Sequence, residues 1–314
     1  MKILCCTLIT MTIAIGDLRA QRNSLAKTSF QDSSNWEQAS CFKMRDLAGS
    51  ALHGGDKNFA NRVAKKYMVD CLDEGSDTVL LTRENLQFIL TFPSCIDSKD
   101  RFFWNLVNHW SLVELLPESD GVNSLIDHTI TKDDIEPLKQ TMAKSTGHEP
   151  NWKVIYNRIE DKYGRQYAKR LIPAAELQYY ESNQKWSKYA RTFDNEIREF
   201  IPKTGGRVLG GILDDVWELN VKAWDVFMHC ADKEDLKLAL KWSILSIQLC
   251  QNNGELIQLL DTKANILYKM GNKSEALPIE QSAVELSGNN PVYRTTLVKM
   301  KNGEATWTEN EGSN

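Results

Sequence analysis

The stretch Asp261–Asn290, DTKANILYKMGNKSEALPIEQSAVELSGNN, restricts what this chain can fold into more than any other. Ile257, Leu260, Ala264 and Leu267 step by +3, +4 and +3, which places them on one face of a helix, and Ala276, Ile279, Ala283 and Leu286 repeat the same steps. Between the two runs Met270-Gly271 ends the first helix, since glycine accepts a left-handed C′ position without steric cost. Asn272 stands three residues before Glu275, a predicted N-cap with a capping-box partner. Ala276 and Ala283 are small enough for two helix backbones to approach closely. Pro278 sits early in the second helix and is expected to distort it. The stretch therefore reads as two antiparallel helices joined by a tight turn.

The preceding segment repeats the pattern. Val216, Leu219, Ala223 and Phe227 form one apolar stripe; after a cap at Asp232, Leu236, Ala239, Leu240, Ser243, Ile247 and Cys250 form another. An offset of 37 residues aligns Ala239 with Ala276, Ala223 with Leu260, Leu240 with Leu277, Ser246 with Ala283 and Ile247 with Val284. Paired helices with a period in the thirties are the mark of a helical solenoid. The residues expected to pack the repeat are Ala223, Phe227, Ala239, Leu260, Ala264, Gly271, Ala276 and Ala283. Tyr293, Leu297 and Met300 give a last helix that ends at Asn302-Gly303 and caps the final pair.

Upstream the same helical periodicity continues, and few stretches alternate apolar with polar residues, so the fold class is all-α, a TPR-like array of helical hairpins. Phe42, Leu47, Ala48, Ala51 and Leu52 make a first stripe closed by Gly54-Gly55, and Asp56 can cap a second stripe of Phe59, Ala60, Val63, Ala64 and Tyr67. Thr82 can cap a helix that ends before Pro93, and Phe103, Leu106, Val107, Trp110 and Val113 form a strong stripe. Shorter runs at Val122–Thr129 and Ile135–Met142 follow. Ser145–Pro150 (STGHEP) is the best internal boundary, and Pro202–Gly211 (PKTGGRVLGG) reads as a linker between repeats, because it lacks the spacing of a phosphate loop. The expected layout is a signal peptide over 1–20, a loose 21–35, a helical region 36–145, TPR-like repeats over 146–307 and a polar tail 308–314.

The signal peptide rests on Lys2, the apolar run Ile3–Gly16 and the small-residue site Leu18-Arg19-Ala20, which together predict a periplasmic or secreted protein with no stable membrane insertion after cleavage. Of the cysteines that remain, Cys41, Cys71, Cys95, Cys230 and Cys250, the odd number leaves at least one outside any intramolecular pair. Cys230 and Cys250 end successive helices, roughly 20 Å apart at 1.5 Å per residue, too far to bridge. No CxxC signals a dithiol or zinc site, and the cysteines are expected to be buried small apolar residues.

No chemistry emerges elsewhere. His53, His109, His128, His148 and His229 are scattered with no HxxxH or HExxH spacing, and there is no GxSxG. The pairs Asp133-Asp134 and Asp214-Asp215 are expected at helix N-termini, where carboxylates favour the helix dipole. A net charge of −4 with no basic block gives no electrostatic case for nucleic acid. No catalytic, cofactor-binding or metal-binding residue is expected. The many Trp and Tyr residues fall mostly on apolar stripes and read as core, with a subset available to line a recognition groove.

Two resemblances add to this. Leu267–Ala283 resembles a tetratricopeptide repeat through Ala264, Gly271, Ala276 and Ala283, but carries Glu280 where the repeat usually has an aromatic residue in its second helix. Leu219–Trp307 resembles the C-terminal helical region of exported thioredoxin-family proteins of Bacteroidetes-type bacteria, on Asn220, Ala223-Trp224, Phe227, Ala231-Asp232-Lys233, Ala239–Trp242, Leu260-Asp261-Thr262, Leu267–Lys273 and Lys299-Met300-Lys301; Leu81–Asn85 also fits the helical part of that family. The thioredoxin domain that would precede this region, with its CxxC nucleophile, has no counterpart: helical patterning starts about 15 residues after the predicted cleavage site. What the resemblance implies is a helical region for scaffolding and recognition. The expected function is non-catalytic binding of a protein or peptide partner on a concave surface; the alternative is an accessory protein of a periplasmic thiol-redox system that has lost its own thioredoxin domain.

Overall fold

The structure, a computed structural model, describes residues 33–73, 80–146, 149–204, 216–251 and 253–307. The expected signal peptide, the linker residues 205–211, Asp214-Asp215 and His148 lie outside the described residues. Among the described residues there is no strand, and no helix is long and apolar enough to cross a membrane. The chain divides into two compact units, Met1–Pro150 and Asn151–Asn314.

In the first unit a 3-10 turn (Ser33–Gln38) leads into α1 (Cys41–His53) and α2 (Lys57–Tyr67), a hairpin closed at Gly54–Asp56. Asp56 caps α2 by accepting from the Phe59 N–H at 3.0 Å. A π turn, Met68–Leu72, extends α2. Then come α3 (Arg83–Thr91), α4 (Arg101–Asn108), a single turn at Trp110–Val113, α5 (Ser119–Ile130), a second π turn at Thr131–Ile135, and α6 (Glu136–Thr146). Ala48, Ala60, Val63, Leu86, Ile89, Phe102, Phe103, Leu106, Ile126 and Ile135 are fully buried, because each lies on the apolar face that its helical spacing defines.

Three expectations change here. Phe42 is 65% exposed and belongs to no core stripe; it lies under the Arg45 guanidinium, 5.7 Å from its ring centre. The runs at Val122–Thr129 and Ile135–Met142 are one continuous rod, α5 running through its π turn into α6. Asp133 and Asp134 therefore sit inside a helix. Asp133 accepts from the Ser98 N–H at 2.7 Å, so a tertiary hydrogen bond takes the place of the expected interaction with a helix end.

The third change concerns the cysteines: Cys41 and Cys71 form a disulfide, with Cα atoms 5.9 Å apart. Cys41 opens α1 and Cys71 lies in the π turn beyond α2, so antiparallel pairing of the two helices brings these ends together. Among the described residues, Cys95 and Cys230 are buried and Cys250 is half-buried.

The second unit begins with α7 (Trp152–Tyr163) and α8 (Arg165–Ser182), separated only by Gly164 at φ +98°, a conformation that glycine reaches without strain. It continues with α9 (Trp186–Thr204), α10 (Val216–His229), α11 (Lys233–Leu249), α12 (Asn253–Lys269), α13 (Lys273–Leu286) and α14 (Pro291–Asn302). Each helix from α7 to α14 packs against the next. In addition α9 packs on α11, and α10 on α12. Neighbour plus next-but-one packing is how stacked hairpins bury a continuous core, and it makes this unit an all-α helical-hairpin array.

Around the α12–α13 turn, Gly271 takes φ +94° and the helix closes as a Schellman motif: the Gly271 N–H donates to Tyr268 O at 3.0 Å and the Asn272 N–H to Leu267 O at 2.9 Å. The expected capping box is absent. Its Glu275 carboxylate would have to accept from the Asn272 N–H, which the preceding helix already uses, and the Asn272 side chain makes no capping bond. A Cβ on Gly271 would meet no atom within 4 Å, so Gly271→Ala isolates backbone strain. The expected result is a loss of about 1–2 kcal/mol, read as a lower urea midpoint at unchanged m.

Candidate functional site

Three helices of the second unit shape a cleft of about 320 Å³. Each contributes residues one helical turn apart, the spacing that puts them side by side on a face. From α7 come Trp152, Lys153 and Tyr156; from α8, Ile172, Pro173 and Glu176; from α9, Thr192, Asn195 and Glu196. The aromatic wall is held from behind. Trp152 is 8% exposed and meets Tyr179 and Tyr180 edge-on, at 5.6 and 6.3 Å between ring centres. Its indole Nε1 is buried and meets no acceptor among the described residues. The Lys153 ammonium lies 5.1 Å from the centre of the Tyr156 ring, and the Thr192 hydroxyl donates to Glu176 Oε2 at 3.3 Å. The cleft thus combines aromatic and aliphatic surface with two carboxylates, an amide, a hydroxyl and the Lys153 ammonium, a lining that is negative on balance and suits a ligand with an apolar stem and a polar, donor-rich end.

Behind the cleft, α9 is fastened to α11 through Asp194, which is nearly fully buried. Its carboxylate accepts from Lys241 Nζ at 2.8 Å, Arg198 Nε at 2.6 Å and Trp242 Nε1 at 3.1 Å. Burial alone would raise its pKa; the hydrogen bonds from Lys241 and Trp242, with the charges of Lys241 and Arg198, outweigh that and hold it below the usual carboxylate range. A second link joins the same helices, the Ser187 hydroxyl donating to the buried Asp235 carboxylate.

The residues expected to pack the repeat are placed as follows. Ala223, Phe227, Ala239, Ala264, Ala276 and Ala283 are fully buried. Ala264 and Ala276 share one cluster with Leu267 and Met300, against which Leu240 and Leu277, 37 positions apart, both pack. Phe227 belongs to a different group: its ring and that of Trp307 flank the Lys269 ammonium at 5.2 and 5.1 Å. Lys269 also donates to the Phe227 carbonyl, and burial lowers its pKa. Leu260 is only half-buried, while its neighbour Leu259 is fully buried. Gly271 is exposed at its turn.

The same α12–α13 hairpin holds two carboxyls that helical periodicity does not reveal as partners. Glu280 is fully buried, and neither of its oxygens receives a hydrogen bond from an N–H or O–H group among the described residues. The group facing it is the carboxyl of Asp261. Desolvation by burial raises the pKa of both, and the Asp261 charge raises Glu280 further. The signal in the sequence was Glu280 itself, an acid at a position where an apolar ring is expected.

Elsewhere the chemistry is spare. Among the described residues no group of three or more His, Cys, Asp or Glu side chains is arranged to hold a metal ion. His229 stacks flat on Trp186, with ring centres 4.1 Å apart. Burial pushes the Cys230 thiol up to about 12 and also raises Cys95, so neither is thiolate-prone near neutrality. In the first unit a cleft of about 480 Å³ is lined by Cys41 of the disulfide together with Phe42, Arg45, Tyr67, Thr82, Glu84 and Asn85. Comparison with protein-family models, with curated proteins and with solved structures found no match to this chain.

Proposed function

We propose that the chain is a non-catalytic, exported helical-repeat protein that binds a protein or peptide partner, and that the α7–α9 cleft receives a basic side chain of that partner. The observation that carries this reading is the make-up of the cleft: Tyr156 and Pro173 offer surface for an aliphatic stem, and Glu176, Glu196 and Asn195 offer acceptors for its cationic end, the two carboxylates outnumbering the one cation of the lining, Lys153. Export is supported by the apolar N-terminal run and by the Cys41–Cys71 disulfide, a bond that persists in oxidising compartments. Short peptides that differ only in one Arg or Gln, titrated against the full chain by fluorescence polarisation, test it. The Arg peptide is expected to bind about tenfold tighter, and Glu196→Lys and Tyr156→Ala to abolish the difference while the melting temperature stays within a few degrees of wild type. Equal binding of the two peptides, or discrimination that survives both substitutions, rejects the reading.

A second reading, an accessory role in a thiol-redox system, is favoured by one observation, that Cys41 lines the cleft of the first unit beside Arg45 and Phe42. In that role an external thiolate would attack one sulfur of the disulfide and displace the other as thiolate. A protein that forms no mixed disulfide with a small thiol under native conditions has no such role.

A further inference from the structure

We propose that Asp261 and Glu280 hold a single proton between α12 and α13, and that release of this proton loosens α14 from the hairpin, making the C-terminal end of the array sensitive to pH.

An ionised carboxylate only accepts hydrogen bonds. Glu280 is fully buried, and no donor among the described residues reaches either of its oxygens. Asp261, which faces it, accepts from Asn265 Nδ2 at 3.1 Å and is likewise an acceptor when ionised. Asn265 Oδ1 is also buried with no donor. Glu280 thus faces another acceptor with no donor of its own among the described residues, and no cation contributes to either carboxyl. A fully buried Glu280 charge facing the half-buried Asp261 charge without a counter-ion costs more than one carboxyl kept neutral. A single proton resolves this: a protonated Glu280 turns one acceptor into a donor toward the neighbouring oxygens.

The charged and titratable groups facing the pair are Asp261 on α12, Glu280 on α13 and Tyr293 on α14; α10 and α11 bring no charge onto it. Burial raises the Tyr293 hydroxyl, and the charges of Asp261 and Glu280 raise it further, so the phenol stays neutral and cannot supply a counter-charge. Because α14 carries Tyr293 over the pair and buries Leu297 and Met300, it is the element that a second negative charge would displace. The sign follows from the raised carboxyl pKa values. The folded state keeps a proton that the unfolded chain releases near pH 4, so this contribution to stability is fully present at lower pH and is lost as the pH rises through the folded values.

Hydrogen exchange on the full chain, read by mass spectrometry at about pH 6 and about pH 9 and corrected for intrinsic exchange, tests the proposal over the range in which buried carboxyls of this kind ionise. Wild-type amides of α13 and α14 are expected to lose protection by about tenfold or more, one pKa unit being a tenfold factor in the opening equilibrium. Glu280→Gln, whose amide supplies the missing donor permanently, is expected to keep its protection at both pH values. Asp261→Asn serves as the second variant and is expected to flatten the response in the same way. The same pH-dependent loss in wild type and both variants overturns the proposal. So does a wild-type response that vanishes on adding a chelator, which would assign the site to a metal ion.

Discussion

Replacing both Cys41 and Cys71 by serine is expected to cost the first unit about 3–4 kcal/mol of stability. The bond spans a sequence separation of 30, and opening it returns to the unfolded chain the loop entropy that the crosslink removed. The hairpin remains able to form, since the Asp56 cap and the buried residues Ala48, Ala51, Ala60, Val63 and Ala64 are untouched. The expected measurement is a urea midpoint that falls sharply for the double variant and falls equally for wild type in reductant. If reduced wild type matches oxidised wild type, the pairing contributes nothing. Cys95, whose thiol is buried and donates to the Asn61 carbonyl at 3.3 Å, should stay unmodified by alkylating agents until the unit unfolds.

Asp194→Ala is expected to destabilise the second unit by about 3 kcal/mol, the lower end for breaking a buried charge pair. The lower end applies because Arg198 and Lys241 are 66% and 47% exposed and recover water when the carboxylate goes. What cannot recover is the Trp242 indole N–H: Trp242 is fully buried against Phe193, ring centres 4.7 Å apart, and would be left without an acceptor. For a unit of this size, the loss corresponds to a fall in melting temperature of about 6–12 °C. Asp194→Asn keeps an acceptor and should cost less. The substitution also carries a pH signature. Because Asp194 is held below its unfolded pKa, its contribution is present above that value, about 3.9, and is lost as the pH falls through the folded value. The acid limb of the stability curve should therefore be shallower in Asp194→Ala than in wild type, and identical limbs would contradict the network described.

The two pH responses have opposite signs and separate cleanly. Asp194 weakens the array on the acid side, where its cations lose their partner. Asp261 and Glu280 weaken it on the alkaline side, where a buried proton is surrendered. Asp194→Ala should leave the alkaline behaviour unchanged, and Glu280→Gln the acid behaviour, because the two sites share no residue.

Local chemistry was legible along the chain. The +3, +4 spacing of Ala264, Leu267, Ala276 and Ala283 marked the buried faces of α12 and α13, and Gly271 marked their turn, since glycine alone reaches φ +94° freely. The caps at Asp56 and Asp232 were legible for the same reason: a carboxylate just before an apolar run meets the free N–H groups of its first turn. Where a position answered to a second demand, local reading failed. Asn272 spends its N–H on the helix before it, and Asp133 spends its carboxylate on Ser98, far away in the chain.

What periodicity left open was pairing between elements. Trp152 and Tyr156 lie one turn apart on α7, but helical spacing holds no information that Glu176, Asn195 and Glu196 converge on them, because those residues reach the cleft from two other helices. The resemblance to a tetratricopeptide repeat set Glu280 where an aromatic residue usually stands, and neither it nor the helical spacing matched Glu280 to Asp261. A count of five cysteines could not pair two of them, since which ends of α1 and α2 meet depends on antiparallel packing. The helical class, the hairpin repeat and its turns were thus present in the order of the residues, because helix periodicity and capping act within a few positions. The cleft, the disulfide, the Asp194 clasp and the Asp261–Glu280 pair arose only on folding, because each depends on side chains from different helices meeting in space.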